Sequence, residues 1–186
     1  MIIGVTGTLG SGKGTVSEYL VKEKGFTQFA VSDTFLAGEA VKRGLEPNRQ
    51  ARHDIANEFR AQGPMKLMEA CYEIALPAIQ EGKDVIVDPQ HTPDEVRFIR
   101  EKGGFVIAVN ANVATRYERI KKRGGAKDNV SFEEFKRMDD LEASPTATSN
   151  NNLLGALEAA DVLVTNDGSL EDFHAQIDAA LAKFEA

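Results

Sequence analysis

The sequence has no tryptophan, one cysteine, three histidines and six prolines among 186 residues. A single thiol, Cys71, excludes an internal disulfide and a metal site built from cysteine alone. It lies in Leu67-Met68-Glu69-Ala70-Cys71, an apolar helical run, so packing rather than nucleophilic chemistry is expected of it. His53, His91 and His174 are too far apart to form a metal-ligand spacing. No apolar run approaches membrane-spanning length and no charged-then-apolar leader precedes the first β-like run. No membrane association and a cytoplasmic location are therefore expected. Basic residues are also in short supply: 22 Lys and Arg face 29 Asp and Glu, a formal net charge of -7. That balance makes nucleic acid an unlikely general partner, while a local basic patch can still serve a small anion.

What the chain does have is alternation. Apolar, β-rich runs at Ile2 to Thr6, Thr27 to Val31, Asp84 to Val87, Phe105 to Val109 and Asp161 to Val164 recur between helical segments. Several are almost continuously apolar, as strands buried on both faces must be. The expected class is α/β, a parallel sheet with helices on both sides, in one domain spanning 1–186. Helices are expected from about Gly12 to before Gly25, from Asp33 to Arg43, from Pro47 to before Gly63, and from Met65 to Glu81 with a bend at Pro77. Thr92-Pro93-Asp94-Glu95 and Ser131-Phe132-Glu133-Glu134 read as capping boxes, and Ser169 with Asp172 resembles a third. The basic, glycine-containing stretch Lys121 to Asn129 suits a mobile lid, set at about 121–150. Ser144 to Asn152 is the least regular part of the chain.

The most specific feature is Gly7-Thr8-Leu9-Gly10-Ser11-Gly12-Lys13-Gly14-Thr15, placed between a strand and a helix. Glycines let successive backbone N–H groups converge on an anion, and the helix N-terminus adds its dipole. Gly10, Ser11, Gly12, Lys13, Gly14 and Thr15 are thus the expected cradle for the phosphates of ATP, with Lys13 as the mobile charge. Gly14 stands where a magnesium-ligating hydroxyl is usual; Thr15, one place on, is better matched to an inner phosphate. Mg2+ is still expected, because it neutralises phosphate oxygens.

Two carboxylates end apolar runs. Asp33 closes Val31-Ser32-Asp33 and Asp88 closes Val85-Ile86-Val87-Asp88, at the sheet edge where α/β proteins bind ligands. Either residue serves equally well as a helix cap on sequence grounds, Asp33 more so. As site residues, one would orient the acceptor oxygen and Asp88 is the expected metal ligand. Arg116, Arg119 and Arg123 share a helix face that runs into the basic glycine stretch, which favours a polyphosphate clamp over a solvated face. Arg119 and Arg123 are its expected members. Thr165-Asn166-Asp167-Gly168-Ser169 is either a capped turn or a backbone wall for the donor base. His91, just past a strand end, is placed to touch an acceptor.

Together these residues resemble the small P-loop kinases: the nucleoside monophosphate kinases, the dephospho-coenzyme A kinases and above all the archaeal adenylate-kinase-related group. The matching pieces run from Gly7 to Thr15 through Ser32-Asp33, Val41 to Pro47, Val85 to Asp88 and Pro93 to Val96. They continue with Arg116 to Arg119, Lys122-Arg123-Gly124 and Asn166 to Leu170. The resemblance implies a three-layer fold whose five-stranded parallel sheet has the order 2-3-1-4-5, with a small lid and an acceptor-binding helical region at about 33–81. It also implies that Lys13 holds ATP phosphates, Asp33 faces the acceptor, Arg119 and Arg123 belong to the lid, and Asn166 and Gly168 lie near adenine. Two departures concern the acceptor side. Asp33-Thr34-Phe35-Leu36 replaces the common Asp-x-x-Arg, and Asp88-Pro89-Gln90-His91 replaces Asp-Gly-x-Arg. Arg49, Arg52 and Arg97 are the available substitutes. The expected activity is transfer of the γ-phosphoryl group of ATP to a small-molecule acceptor, a nucleotide or coenzyme A precursor, by a monomer or weak homo-oligomer. The alternative is a nucleotide-binding switch or sensor ATPase without an acceptor.

Overall fold

The structure is a computed structural model and describes residues 1–124, 130–143 and 152–185. Five strands form one parallel sheet in the order β2-β3-β1-β4-β5: β1 (Ile2–Gly7), β2 (Thr27–Ala30), β3 (Val85–Asp88), β4 (Phe105–Asn110) and β5 (Val162–Thr165). Central β1 pairs Ile3 with Ile86 on one side and Val5 with Ile107 on the other, and every one of its residues is buried. A strand covered on both faces has no polar side to present, which accounts for the unbroken apolar run at the start of the chain.

The helices are α1 (Lys13–Lys24), α2 (Ala37–Lys42), α3 (Arg49–Gln62), α4 (Lys66–Gln80), α5 (Pro93–Glu101), α6 (Val113–Arg123), α7 (Phe132–Ala143), α8 (Leu153–Ala159) and α9 (Leu170–Glu185). Successive strand residues point to opposite faces, so the sheet feeds two cores. Ile3, Val5, Ile86, Ile107 and Val109 pack with Val16 and Leu20 of α1 and Phe173 and Ile177 of α9. Val85, Val87 and Val106 face the other way, toward Ile55, Leu67, Met68, Val96, Ile99 and Ala156. Cys71 belongs to that second core; burial pushes its thiol pKa well up, as befits a packing residue.

The expected caps form. Thr92 accepts from the Glu95 N–H at 3.2 Å, Ser131 from Glu134 at 3.2 Å and Ser169 from Asp172 at 3.1 Å. One expectation needs correction. The second helix does not start at Asp33: a π-helical turn, Val31–Leu36, follows β2 directly and runs into α2, so Asp33 lies inside a helical turn rather than capping one. The irregular stretch is followed by α8, seven residues capped by Asn152, whose Leu153 and Ala156 are buried. Residues 125–129 of the expected lid and 144–151 of the irregular stretch lie outside the described residues. No helix among the described residues is long and apolar enough to cross a membrane.

Candidate active site

At the carboxyl ends of the neighbouring strands β1 and β3 the chain builds two concavities. The first is a groove of about 590 Å3 lined by Thr8, Leu9, Gly10, Gly12 to Thr15, Arg119 and Arg123, among others. Its floor is the loop between β1 and α1. Gly10 has φ +78 and Gly12 has φ +110, left-handed conformations that side-chain-bearing residues rarely adopt. A Cβ on Gly12 would come within 2.2 Å of the Asn166 amide nitrogen, which donates to the Ser11 carbonyl at 2.9 Å. Lys13 reaches back over the loop, its Nζ donating to the Gly7 and Thr8 carbonyls at 2.6 and 2.9 Å. Buried polar atoms without a hydrogen-bond partner among the described residues include the hydroxyls of Thr8 and Ser11 and Nη1 of Arg119, all in or beside this loop. Such atoms are costly to leave unpaired.

The second concavity, about 420 Å3, lies on the β3 side. Helix α3 lines it with Arg49, Arg52, Ala56 and Arg60, spaced by three and four residues and therefore on one face. Ser32, His53, Pro89 and His91 complete much of the wall, and no carboxylate is among the lining residues. Its back wall is stitched to β1: Thr6 Oγ1 donates to the Gln90 carbonyl at 2.8 Å and Gln90 N–H to the Val5 carbonyl at 3.1 Å. Glu95, fully buried, accepts from Arg60 Nε at 3.0 Å with one oxygen and from the His91 N–H at 2.6 Å with the other. Burial, with Arg60 and Lys13 adding their charges, lowers the His91 pKa to about 3, so its ring is neutral near pH 7.

Asp88 is buried at the end of β3, immediately before cavity-lining Pro89. Its carboxylate accepts from Ser17 Oγ at 2.7 Å and from Gln28 Nε2 at 2.9 and 3.1 Å. Desolvation raises its pKa, against the opposing pull of those two donors and of Lys13.

The AAA domain family pattern matches residues 3–143. A "UPF0200 protein" of Methanoculleus marisnigri is 33% identical over 98% of this chain and 96% of its own. The chain belongs to the UPF0200 family. Among solved structures, shikimate kinase from Bacteroides thetaiotaomicron aligns over 100% of this chain and 99% of that one, with a TM-score of 0.63 at 12% identity. Dephospho-CoA kinase from Campylobacter jejuni aligns over 98% and 96%, with a TM-score of 0.55 at 18% identity. At such identities these structures speak for the fold, which is that of the P-loop kinase superfamily, with the expected strand order.

In this UPF0200 chain most of the anticipated site residues line the groove, whereas Ser11 is wholly buried. Gly10, Gly12, Lys13, Gly14, Thr15, Arg119 and Arg123 all line the groove. Asn166 is buried beneath it, accepting from Arg119 Nη2 with both its backbone carbonyl (2.9 Å) and its side-chain oxygen (3.1 Å). Gly168 is exposed in the turn before α9, where Ser169 and Asp172 cap each other. Asp33 stands apart: 76% exposed, it pairs with Arg52 Nη1 at 2.5 Å. The arginine stripe needs correction at Arg116, which is turned inward. It makes a bidentate pair with Asp139 of α7 at 2.6 and 2.7 Å and also donates to the Leu9 carbonyl at 3.2 Å, so it braces the loop from below. Of the substitutes for the missing arginines, Arg49 and Arg52 line the cavity, whereas Arg97 is exposed on α5 and pairs with Asp94.

Reading the sequence missed Arg60, Ser17 and Gln28. The position of Arg60 on the Arg49-Arg52-Ala56 face was there to be found by spacing; nothing in the sequence marks Ser17 or Gln28. The P-loop kinase fold implies Mg2+. No three Asp, Glu, His or Cys gather to hold a metal by themselves among the described residues. Mg2+ with a nucleotide asks less, taking one or two carboxylates, phosphate oxygens and water. Asp88, a buried carboxylate beside the loop lysine, fits that demand.

Proposed function

We propose that this protein is an ATP-dependent phosphotransferase moving the γ-phosphoryl group to a nucleotide-like small molecule. The observation that carries the reading is geometric: the groove-lining loop leaves β1, cavity-lining Pro89 and His91 leave its neighbour β3, and Thr6 and Val5 of β1 are hydrogen-bonded to Gln90 between them. A donor phosphate in the groove and an acceptor in the cavity would therefore meet over the ends of β1 and β3, the ligand edge of an open α/β sheet.

Phosphoryl transfer needs positioning and charge neutralisation more than covalent help. Loop N–H groups and Lys13 hold the donor phosphates, and Arg119 with Arg123 closes the opposite wall. Asp88 would hold Mg2+, which supplies charge neutralisation to the phosphate oxygens. We assign the orienting of the acceptor oxygen to Asp33, which follows cavity-lining Ser32, pairs with cavity-lining Arg52 and is more accessible than Asp88. Two acceptor classes suit a concavity with basic and apolar walls, nucleoside monophosphates and dephospho-coenzyme A.

The test is ADP release from ATP and Mg2+ across a panel of nucleoside monophosphates, nucleosides and dephospho-coenzyme A. At least one acceptor raises turnover above basal hydrolysis, and Lys13→Ala abolishes the increase. Turnover equal to basal with every acceptor would replace this reading with the switch or sensor.

A further inference from the structure

Arg60 differs from the other cations of the cavity in how it is held. Arg49 has no carboxylate partner among the described residues, and Arg52 shares the exposed Asp33. Arg60 instead has a side chain only 9% exposed and a partner, Glu95, that is wholly buried. Glu95 engages only the Nε edge of the guanidinium, because its second oxygen is committed to the His91 N–H. That bond to Glu95 is the only hydrogen bond or ion pair of Arg60 among the described residues, and the side chain lines the cavity. Its Nη1 and Nη2 donors are therefore left for a ligand, in a fixed fork suited to two oxygens of one oxyanion.

A bland account exists: a buried ion pair that ties α3 to α5. Stability alone does not favour that design, since replacing such pairs by apolar residues is often neutral or stabilising. Nor does a tie require the arginine to line a concavity whose other charged lining residues are also arginines. Glu95 offsets the charge of Arg60, so Arg60 contributes directed donors, while Arg49, without a carboxylate partner among the described residues, contributes positive potential.

We infer that Arg60, aimed by Glu95, is the specificity-determining contact for an oxyanion carried by the acceptor, a phosphomonoester or carboxylate distinct from the oxygen that receives phosphate. This inference rests on the kinase reading for the word acceptor, but its test reads binding and so stands or falls separately from turnover. Glu95 is a positioning residue in the same arrangement.

The experiment is calorimetric titration of the full chain, saturated with Mg2+ and a non-hydrolysable ATP analogue so that the donor groove is filled. The probes are adenosine 5′-monophosphate against adenosine, benzoate against benzyl alcohol, and inorganic phosphate. At least one anionic probe is expected to bind about tenfold or more tightly than its neutral counterpart, the usual worth of a charge-assisted contact. The pair showing that preference identifies the oxyanion as phosphate or carboxylate. Arg60→Met removes the preference and leaves the affinity for the ATP analogue within about twofold, the scale of a distant, uncoupled site. Arg60→Lys retains part of it. If Arg60→Met does not fold, the uncharged pair Arg60→Gln with Glu95→Gln carries the same expectation. An anion preference that survives in a folded Arg60 variant overturns the inference, and so does a parent protein that binds no anionic probe better than its neutral counterpart.

Discussion

The two halves of the site are made of different material. The donor groove is largely backbone: glycines at positive φ, loop N–H groups and carbonyls, with Lys13, Arg119 and Asn166 braced on them. The acceptor cavity is side chains, chiefly one face of α3 and the residues after β3. Backbone recognition of phosphate tolerates sequence change outside the glycines. Side-chain recognition follows each substitution, so on the proposed reading substrate choice lies in the cavity. The departures from the kinase pattern, at Leu36 and His91, both fall on the cavity side.

The contrast can be broken in order of expected effect. Arg60→Met leaves Glu95 buried with no cationic partner, which typically costs about 3–5 kcal/mol, and the loss shows as a lower urea midpoint at unchanged slope. Lys13→Ala acts oppositely, leaving the urea midpoint in place while lowering ATP turnover by about a hundredfold or more, the scale of losing a charge-stabilising donor. Gly12→Ala forces a Cβ against Asn166 at a left-handed φ, and weakens ATP binding by about tenfold, the equivalent of roughly 1–3 kcal/mol of strain. Gly14 has no positive φ, and a Cβ added there meets nothing within 4 Å. Gly14→Ala therefore leaves ATP affinity unchanged, as nucleotide titration will show.

The contrast also shows in pH dependence. Asp88 has a folded-state pKa raised above 3.8 by burial, so the native state binds the proton more readily than the unfolded chain. Its burial therefore lowers stability as pH rises from 3.8 through the folded value, and the full cost is present at pH 7. Asp88→Asn should remove this contribution, so that the melting temperature changes less between acid pH and pH 7 than in the parent, while turnover falls. His91 has the opposite sign. Its pKa falls from 6.5 to about 3, so the unfolded chain takes up the proton first and stability is lost as pH falls through that interval. Calorimetric melting from pH 7 to pH 3 checks this, with His91→Gln predicted to lose less stability than the parent.

Much of the donor half was legible because its signals are local. A strand, a glycine loop and a helix lie in one short stretch of sequence, and the glycines declare the backbone they permit. The strand order was legible only through resemblance. Arg60 was not picked out because its meaning depends on Glu95, 35 residues away on another helix. The inward turn of Arg116 depends likewise on Asp139, 23 residues on, and helix periodicity alone cannot tell a clamp from a brace. The second helix was expected to start at Asp33 because nothing in the sequence marks the π-helical turn that begins at Val31, and α8 escaped notice because seven residues carry too little periodicity.

The central claim is that the two halves work on one phosphoryl group. It is tested most directly by incubating the protein with ATP labelled in the γ-phosphate, Mg2+ and the acceptor panel, then locating the label. The account predicts label in an acceptor, lost in Lys13→Ala. Label found only in inorganic phosphate, at the same rate with every acceptor as with none, would contradict it.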